Sequence, residues 1–590
     1  MRQVLLVLVI LLSQATPAQL TFTNDGQSAT VTGYFGQNAP AEITIPATFN
    51  GLPVVNIGEA AFAGQYTFKQ VNIPASVTNI SRLAFTGCSG LPSITIPPTV
   101  QSIADRAFFG CNSLTTVTLS DGLQRIGEEA FASSMVLSEV IIPNSVRSMG
   151  PGVFYGCDQL KHAVLPDSMA AIPDSTFAYC NSLTTFTIPT SVTSIGDWAF
   201  YHSGLQTISL PETVRSIGKE TFAITHLANV TIPDSLVTIP DGAFNTCQDL
   251  LTVTLGKGIT AVASNAFLSC SNLAEIKVDL LNEQYLDLSG VLFDKQITTL
   301  VKFPPGKPDI TYLVPTGVAV IADSAFEGAI KLRNVTGGFS LKSIGKSAFN
   351  FCVNLTNLAT GSGITNIGAE AFLNCNRLTS ITPSPQLQSL GESAFAQCYN
   401  LANIEIPPGL TTIPRYAFFE CYSLTNIVIP NGVTTIDTSA FGGCTNLVTL
   451  LVSQSVSSIR SLAFSGCTHL LRASFLGNKP FIATDAFSGA PVTLYYWPGT
   501  SGWGAIVAGR PALPWRPMII RSDKNFGISR GQFQFIIKAT TNSPVTVEFT
   551  SDPANPAWTP LSTLNPNSAW EVGFSDPLTS TNRFYRYHVQ

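Results

Sequence analysis

A chain of 590 residues with 45% apolar side chains can bury an extensive core, but only 11% of it is charged, so its exposed positions must be filled mainly by Thr, Ser, Asn and Gly. The formal net charge of -5 supplies neither a basic patch for nucleic acid nor an acidic run for a solvating tail. Beyond the first residues there is no apolar stretch approaching the roughly 20 residues that a membrane-spanning helix needs. In chain order, residues 1–18 read as a signal peptide: Arg2 gives a positive start, Val4 to Leu12 are unbroken apolar residues, and Ser13 to Ala18 offer small residues for cleavage. Secretion or display at a cell surface, in an extracellular or periplasmic setting, is the expected location. No cysteine precedes Cys88, which excludes a lipid anchor on an N-terminal cysteine.

Residues 19–517 repeat one sentence: Cys-x-x-Leu-x-x-Val/Ile-x-Ile-Pro, then x-x-Val-x-x-Ile-Gly-x-x-Ala-Phe. Its anchor phenylalanines run from Phe62, Phe85 and Phe108 to Phe267, then from Phe326 to Phe487, and nearly every step is 23 residues. Each unit is too short to bury its own apolar face, so the period predicts a repeat solenoid of stacked turns. Alternation such as Leu114-x-x-Val117-x-Leu119 predicts a short strand in each turn, ended by a proline such as Pro143 or Pro189. The Ala-Phe anchor is expected in a short helical turn. Leu20 to Ile45 reads as an irregular first turn that covers the leading edge.

All twelve cysteines, Cys88 to Cys467, lie three residues after an anchor phenylalanine. Where this column is interrupted, the slot holds mostly small residues such as Ser134, Ser203 and Ala329, which favours a buried packing role for the thiols. Disulfides between neighbouring turns remain open, because stacked strands about 4.8 Å apart lie within disulfide Cα range, although side chains in one column point the same way.

These repeats resemble the BspA-like branch of leucine-rich repeat proteins, and the resemblance spans roughly residues 20 to 517. It implies a secreted or surface-exposed protein of a bacterium or protist, built mainly from short parallel β-strands. The long step between Phe267 and Phe326 is similar to a hairpin insertion of that family, placed at about 279–315 and carried by Asn282-x-x-Tyr285, Ser289-Gly290-Val291-Leu292-Phe293-x-Lys295 and Leu300-x-x-Phe303-Pro304. An aromatic C-terminal cap is expected at about 491–517, around Tyr495, Tyr496, Trp497, Trp503 and Trp515. Residues 518–590 alternate as strands and read as a small all-β, sandwich-like module, with Phe533-x-Phe535-x-Ile537 and Val545-x-Val547-x-Phe549 as two of them.

The residues offer no constellation for catalysis, and no enzyme activity, cofactor or metal is expected. Gly527-Ile528-Ser529-Arg530-Gly531 matches a nucleophile-elbow pattern, but the module around it is too small for the α/β sheet such an elbow requires. His162, His202, His226, His469 and His588 lack ligand spacing. Four glycosylation sequons begin at Asn79, Asn229, Asn334 and Asn354, and they matter only in a eukaryotic source. What remains is the surface. The outward strand position reads Thr95, Thr118, Ile141, Val164, Thr187, and the adjacent apolar pair Ile141 and Val164, with Lys161 and His162 beside it, is the candidate binding patch. The expected function is binding or adhesion to a protein or polysaccharide by a monomer. The alternatives are a passive envelope or matrix spacer and, further off, a secreted hydrolase.

Overall fold

In the computed structural model the described residues are 19–35, 40–381, 383–497 and 499–514, and then 518–520, 527–529, 532–538, 544–550, 558–565, 571–577 and 584–589. The expected signal peptide at 1–18 lies outside them. The chain separates into two units, residues 1–355 and 356–590. Among the described residues there is no helix, and none therefore that is long and apolar enough to cross a membrane.

In the first unit, the antiparallel strands Gln19–Asn24 and Ala29–Phe35 lead into Leu52–Ile57, which joins Ala29–Phe35 in parallel. Coils follow, each with a three- or four-residue strand and a two-residue strand. Thr116–Thr118 pairs in parallel with Ser93–Thr95, and Arg125–Ile126 with Ser102–Ile103, one repeat away in sequence. The alternation is that of a half-buried sheet. Ile94, Val117 and Val140 point inward and are buried, while Thr95, Thr118 and Ile141 point outward. The fold is a parallel β-solenoid of the leucine-rich repeat kind.

The anchor phenylalanines form the spine of the core. From Phe62 to Phe267 successive rings stack with centroids 5.1–5.9 Å apart and planes within 19°, and every ring is buried. Offset stacking of this kind contributes about 0.5–1.5 kcal/mol per pair beyond the area buried.

The expected helical turns at the anchors are instead tight turns held by left-handed residues. Around Phe85, Leu83 and Gly87 have φ of 59° and 67°, and around Phe108, Arg106 and Gly110 have 55° and 68°. Each reversal of φ stops a helix from propagating and turns alternate N–H groups along the stack. Ala84 and Thr86 donate within their own coil, to Ser81 and Leu83, while Leu83, Phe85 and Gly87 donate to Asp105, Ala107 and Phe109 of the next coil. The anchor amides thereby form an unbroken column: Phe62 donates to Ala84, Phe85 to Ala107, Phe108 to Ala130, and so on to Phe244 and Ala266, at 2.7–3.0 Å.

The cysteine column is bonded as well as packed. All twelve cysteines are buried and carry free thiols. Cys88, Cys111, Cys157 and Cys180 each donate through Sγ to the carbonyl of the anchor phenylalanine in the preceding coil, at 3.2–3.3 Å, and Ser134 makes the same bond to Phe108 in an interrupted slot. Burial pushes the Cys88 and Cys157 thiols up to about 12. Because the thiolate is the nucleophile, a thiol reagent at pH 8 is expected to leave the folded protein unmodified and to titrate twelve thiols once it is unfolded. A count below twelve after unfolding without reductant would establish disulfides instead.

Within the long step of the repeat, Tyr285–Leu288 and Val291–Asp294 form an antiparallel hairpin, and Thr299–Lys302 extends it before pairing in parallel with Val320–Ile321. Phe303 then takes an anchor position, stacking on Phe326 at 5.0 Å and donating its N–H to Ala325. Lys302 fills the place that alanine holds elsewhere. It is buried, its Nζ donates to the Ser324 carbonyl at 2.7 Å, and burial lowers its pKa, opposed by the Glu327 carboxylate.

In the second unit the anchors Phe372, Phe395, Phe418, Phe441, Phe464 and Phe487 stack at 5.0–5.5 Å. The strands Asn426–Ile429, Thr449–Val452, Arg472–Phe475, Thr493–Tyr496 and Arg510–Pro514 align in parallel. Trp503 stacks on Tyr496 at 5.1 Å, meets Phe475, and donates Nε1–H to the Gly477 carbonyl. The last residues form two small antiparallel sheets, one around Gln532–Lys538 and one around Val545–Thr550, that share a core of Phe535, Ile537, Val545, Val547, Val572 and Phe574.

Candidate functional site

The sheet face of the first unit is a lattice of short polar side chains. Four strands, Ser93–Thr95, Thr116–Thr118, Glu139–Ile141 and His162–Val164, lie side by side in register, each exposed at its two ends and buried in the middle. β-branched residues suit such a surface, and threonine supplies the branching without an apolar exterior. Ile141 and Val164 break that rule. They are direct register partners, 56% and 38% exposed, and Glu139 and His162 are partners beside them.

Each member of the apolar pair lines its own groove. Ile141 borders a shallow groove of about 750 Å³ with Thr118, Asp121, Glu139 and Pro143, and Val164 borders a smaller one with His162, Asp167, Thr187 and Pro189. The structure therefore brings Ile141, Val164 and His162 onto one face. Lys161 stands one residue before the strand, exposed, with its N–H donated to the Ser138 carbonyl, and is at the margin of the patch.

A second surface feature lies in the anchor turns. Tyr155, Tyr179, Trp198 and Tyr201 line a recess of about 290 Å³ with Ser175 and Glu220. The repeat pattern does not display it, because the tyrosines occupy two different repeat positions, one or two residues after the anchors Phe154, Phe177 and Phe200. The signal was present as aromatic spacings of 24 and 22 residues.

For chemistry the surface offers little. Among the described residues no group of three or more His, Cys, Asp or Glu side chains is placed to hold a metal. Gly527–Ser529 is a strand paired antiparallel with Gln532–Gln534, not the strand-to-helix turn of a nucleophile elbow, and Arg530 and Gly531 lie outside the described residues.

A family described as the BspA type leucine rich repeat region matches residues 55–184, 170–285, 309–421 and 388–498. Among curated proteins, nothing matches the chain. Among solved structures, a leucine-rich repeat protein of Bacteroides ovatus is 23% identical, covering 78% of this chain and 94% of its own, with a TM-score of 0.44. A leucine rich cell surface protein of Faecalibacterium prausnitzii is 26% identical over 80% of this chain and 96% of its own, with a TM-score of 0.32. A leucine-rich repeat protein of T. pallidum is 30% identical over 36% of this chain and 88% of its own, with a TM-score of 0.29. With the family match extending over most of the repeat region and the stacked, phenylalanine-anchored coils beneath it, the chain belongs to the BspA-type leucine-rich repeat family.

Proposed function

We propose that this is a secreted or cell-surface recognition protein, monomeric and without enzymatic activity, that binds a protein partner through the sheet face of its first unit. The observation that carries the reading is the exposed, register-paired Ile141 and Val164 in an outward row that is otherwise Ser and Thr from Thr95 to Thr254. Adjacent outward apolar side chains flanked by grooves offer the apolar centre and polar rim of a binding patch. The apolar start of the chain and membership of the family support export.

The test is binding of the full chain to a panel of purified matrix glycoproteins and polysaccharides, beside the double variant Ile141→Asp/Val164→Asp and the control Thr231→Asp, which alters the same outward row at a distance. Saturable binding of a glycoprotein that the double variant loses by about tenfold or more, and that Thr231→Asp keeps, is the expected outcome. Binding only to polysaccharide would move the partner class, and binding that both variants keep would place the site elsewhere. No saturable binding to any member would favour a passive spacer.

A further inference from the structure

The recess in the anchor turns has the composition of a cation cage. Tyr155 and Tyr179 meet with centroids 5.2 Å apart at 64°, and Tyr179 and Tyr201 at 5.5 Å and 67°, so consecutive rings stand nearly at right angles instead of forming one flat shelf. Trp198, 42% exposed, and the buried Ala178 complete the lining. His202 rests edge-on against Tyr179. Tyr179, Trp198 and His202 occupy the left-handed positions that the anchor turns share, with φ of 60°, 55° and 52°. In nearby coils the place of Tyr179 and His202 is taken by Gly110, Ser133 and Gly156 before them and by Ile224 and Thr246 after them, so nothing in the fold requires an aromatic residue there.

Charge points the same way. The Glu220 carboxylate has no ion pair or hydrogen bond among the described residues, and it is half-buried at the edge of the recess. Room for it is made by Gly242, where a Cβ would come within 2.7 Å of Glu220 Cγ. The Tyr201 hydroxyl is held above its ordinary pKa by burial first, then by its neighbour Tyr179 and the Glu220 carboxylate. More broadly, residues 151–250 contain nine acidic and three basic side chains, a net -6 against -5 for the whole chain. Such a field concentrates cations at the surface.

Aromatic faces are the negative ends of ring quadrupoles, and several faces at steep angles around a small volume attract a compact cation that also has an apolar shell. A pyranose ring would instead use an open, flat aromatic platform. We propose that Tyr155, Tyr179, Trp198, Tyr201 and Glu220 form a binding site for a trimethylammonium group, as carried by choline-bearing molecules. This site lies in the anchor turns and is independent of the sheet-face patch.

The experiment is calorimetric titration of the full-length protein with choline, beside its neutral isostere 3,3-dimethylbutanol and a soluble glucose oligomer. Choline is expected to bind with a dissociation constant on the order of 1 mM, and the isostere at least about tenfold more weakly. Trp198→Ala and Glu220→Gln are each expected to weaken choline about fivefold or more, with circular dichroism and melting unchanged, because both side chains are surface groups. Glu220→Gln keeps the shape of the recess and serves if Trp198→Ala fails to fold. Equal binding of choline and the isostere would overturn the proposal in favour of a plain apolar slot. Binding of the glucose oligomer alone would make it a sugar site, and no heat with choline up to about 50 mM would remove it. Phosphocholine-bearing polymer and phosphatidylcholine vesicles, compared as competitors of choline, distinguish a soluble or wall-borne source from a lipid headgroup.

Discussion

Phe177→Ala is expected to destabilise the first unit by about 3–5 kcal/mol, the range for removing a fully buried aromatic ring from a core that cannot collapse around the gap. Phe177 is buried between Phe154 and Phe200, at 5.7 and 5.5 Å, and touches Phe186 at 4.9 Å, so three rings border the space it fills. Its backbone sits in the amide column, donating to Ala199 and thereby fixing the coil spacing that a collapse would have to close. In a repeat architecture each coil contacts only its neighbours, so the loss is local. Hydrogen exchange should show faster exchange in the coils around residues 154–200 and little change near Phe62. Thr187→Ala, on the exposed strand face, is the comparison and is expected to change stability by no more than about 0.5 kcal/mol. Equal effects of the two substitutions would remove the phenylalanine column from its central place in the stability of the unit.

Gly204→Ala is expected to be nearly as damaging, for a different reason. A Cβ at Gly204 would stand 2.1 Å from the Asn181 carbonyl oxygen and 2.9 Å from its carbon, and both are backbone atoms of the preceding coil that cannot swing away. Gly204 also donates its N–H to the Cys180 carbonyl, so the two coils must separate or lose that bond. Overpacking against fixed backbone predicts a loss of about 3 kcal/mol or more. Gly110 is the instructive contrast. Its φ is +68°, yet nothing lies within 4 Å of the added carbon, so Gly110→Ala carries only the left-handed penalty of about 1–2 kcal/mol. Urea unfolding of the two variants side by side separates contact from conformation, and an equal loss in both would refute the distinction.

The coil and its inward residues were legible because the period and the strand alternation act on every copy alike: Ile94, Val117 and Val140 are buried where alternation puts them. The anchor turn is not helical as its pattern suggests, and nothing in the sequence marks this, because its left-handed positions are held by residues such as Leu83, Arg106 and Glu129, which give no sign of positive φ. Phe303 went unrecognised as an anchor because Lys302 stands where the repeat has alanine, and only the ring stack and the amide bond identify it. The cysteines were read as small fillers. Their bond to the preceding phenylalanine carbonyl spans 26 residues in most cases, three more than the period, an offset that no single repeat displays. For the candidate sites, Ile141 and Val164 could be found by reading one outward row. The aromatic recess shows only when several repeat positions are read together, since it is assembled from residues on both sides of the turn in four coils.

The amide column has an electrical consequence. In each link the peptide group that accepts from one coil donates to the next: the carbonyl of Ala107 receives Phe85, and the N–H on the other side of that same peptide, from Phe108, reaches Ala130. Peptide dipoles of about 3.5 D joined head to tail in this way add instead of cancelling, as they do along an α-helix. The columns through the anchor turns are therefore polarised, with carbonyl oxygens directed toward the first coil and N–H groups toward the last, while a second column, Ser81 to Ile57, Ala104 to Ile80 and Gly127 to Ile103, runs the opposite way beside the two-residue strands. Along the anchor-turn edge the sign is the reverse of a helix, negative toward the N-terminal coil, and the opposing column offsets it on the neighbouring side, so the polarity belongs to one edge of the coils and not to the stack as a whole.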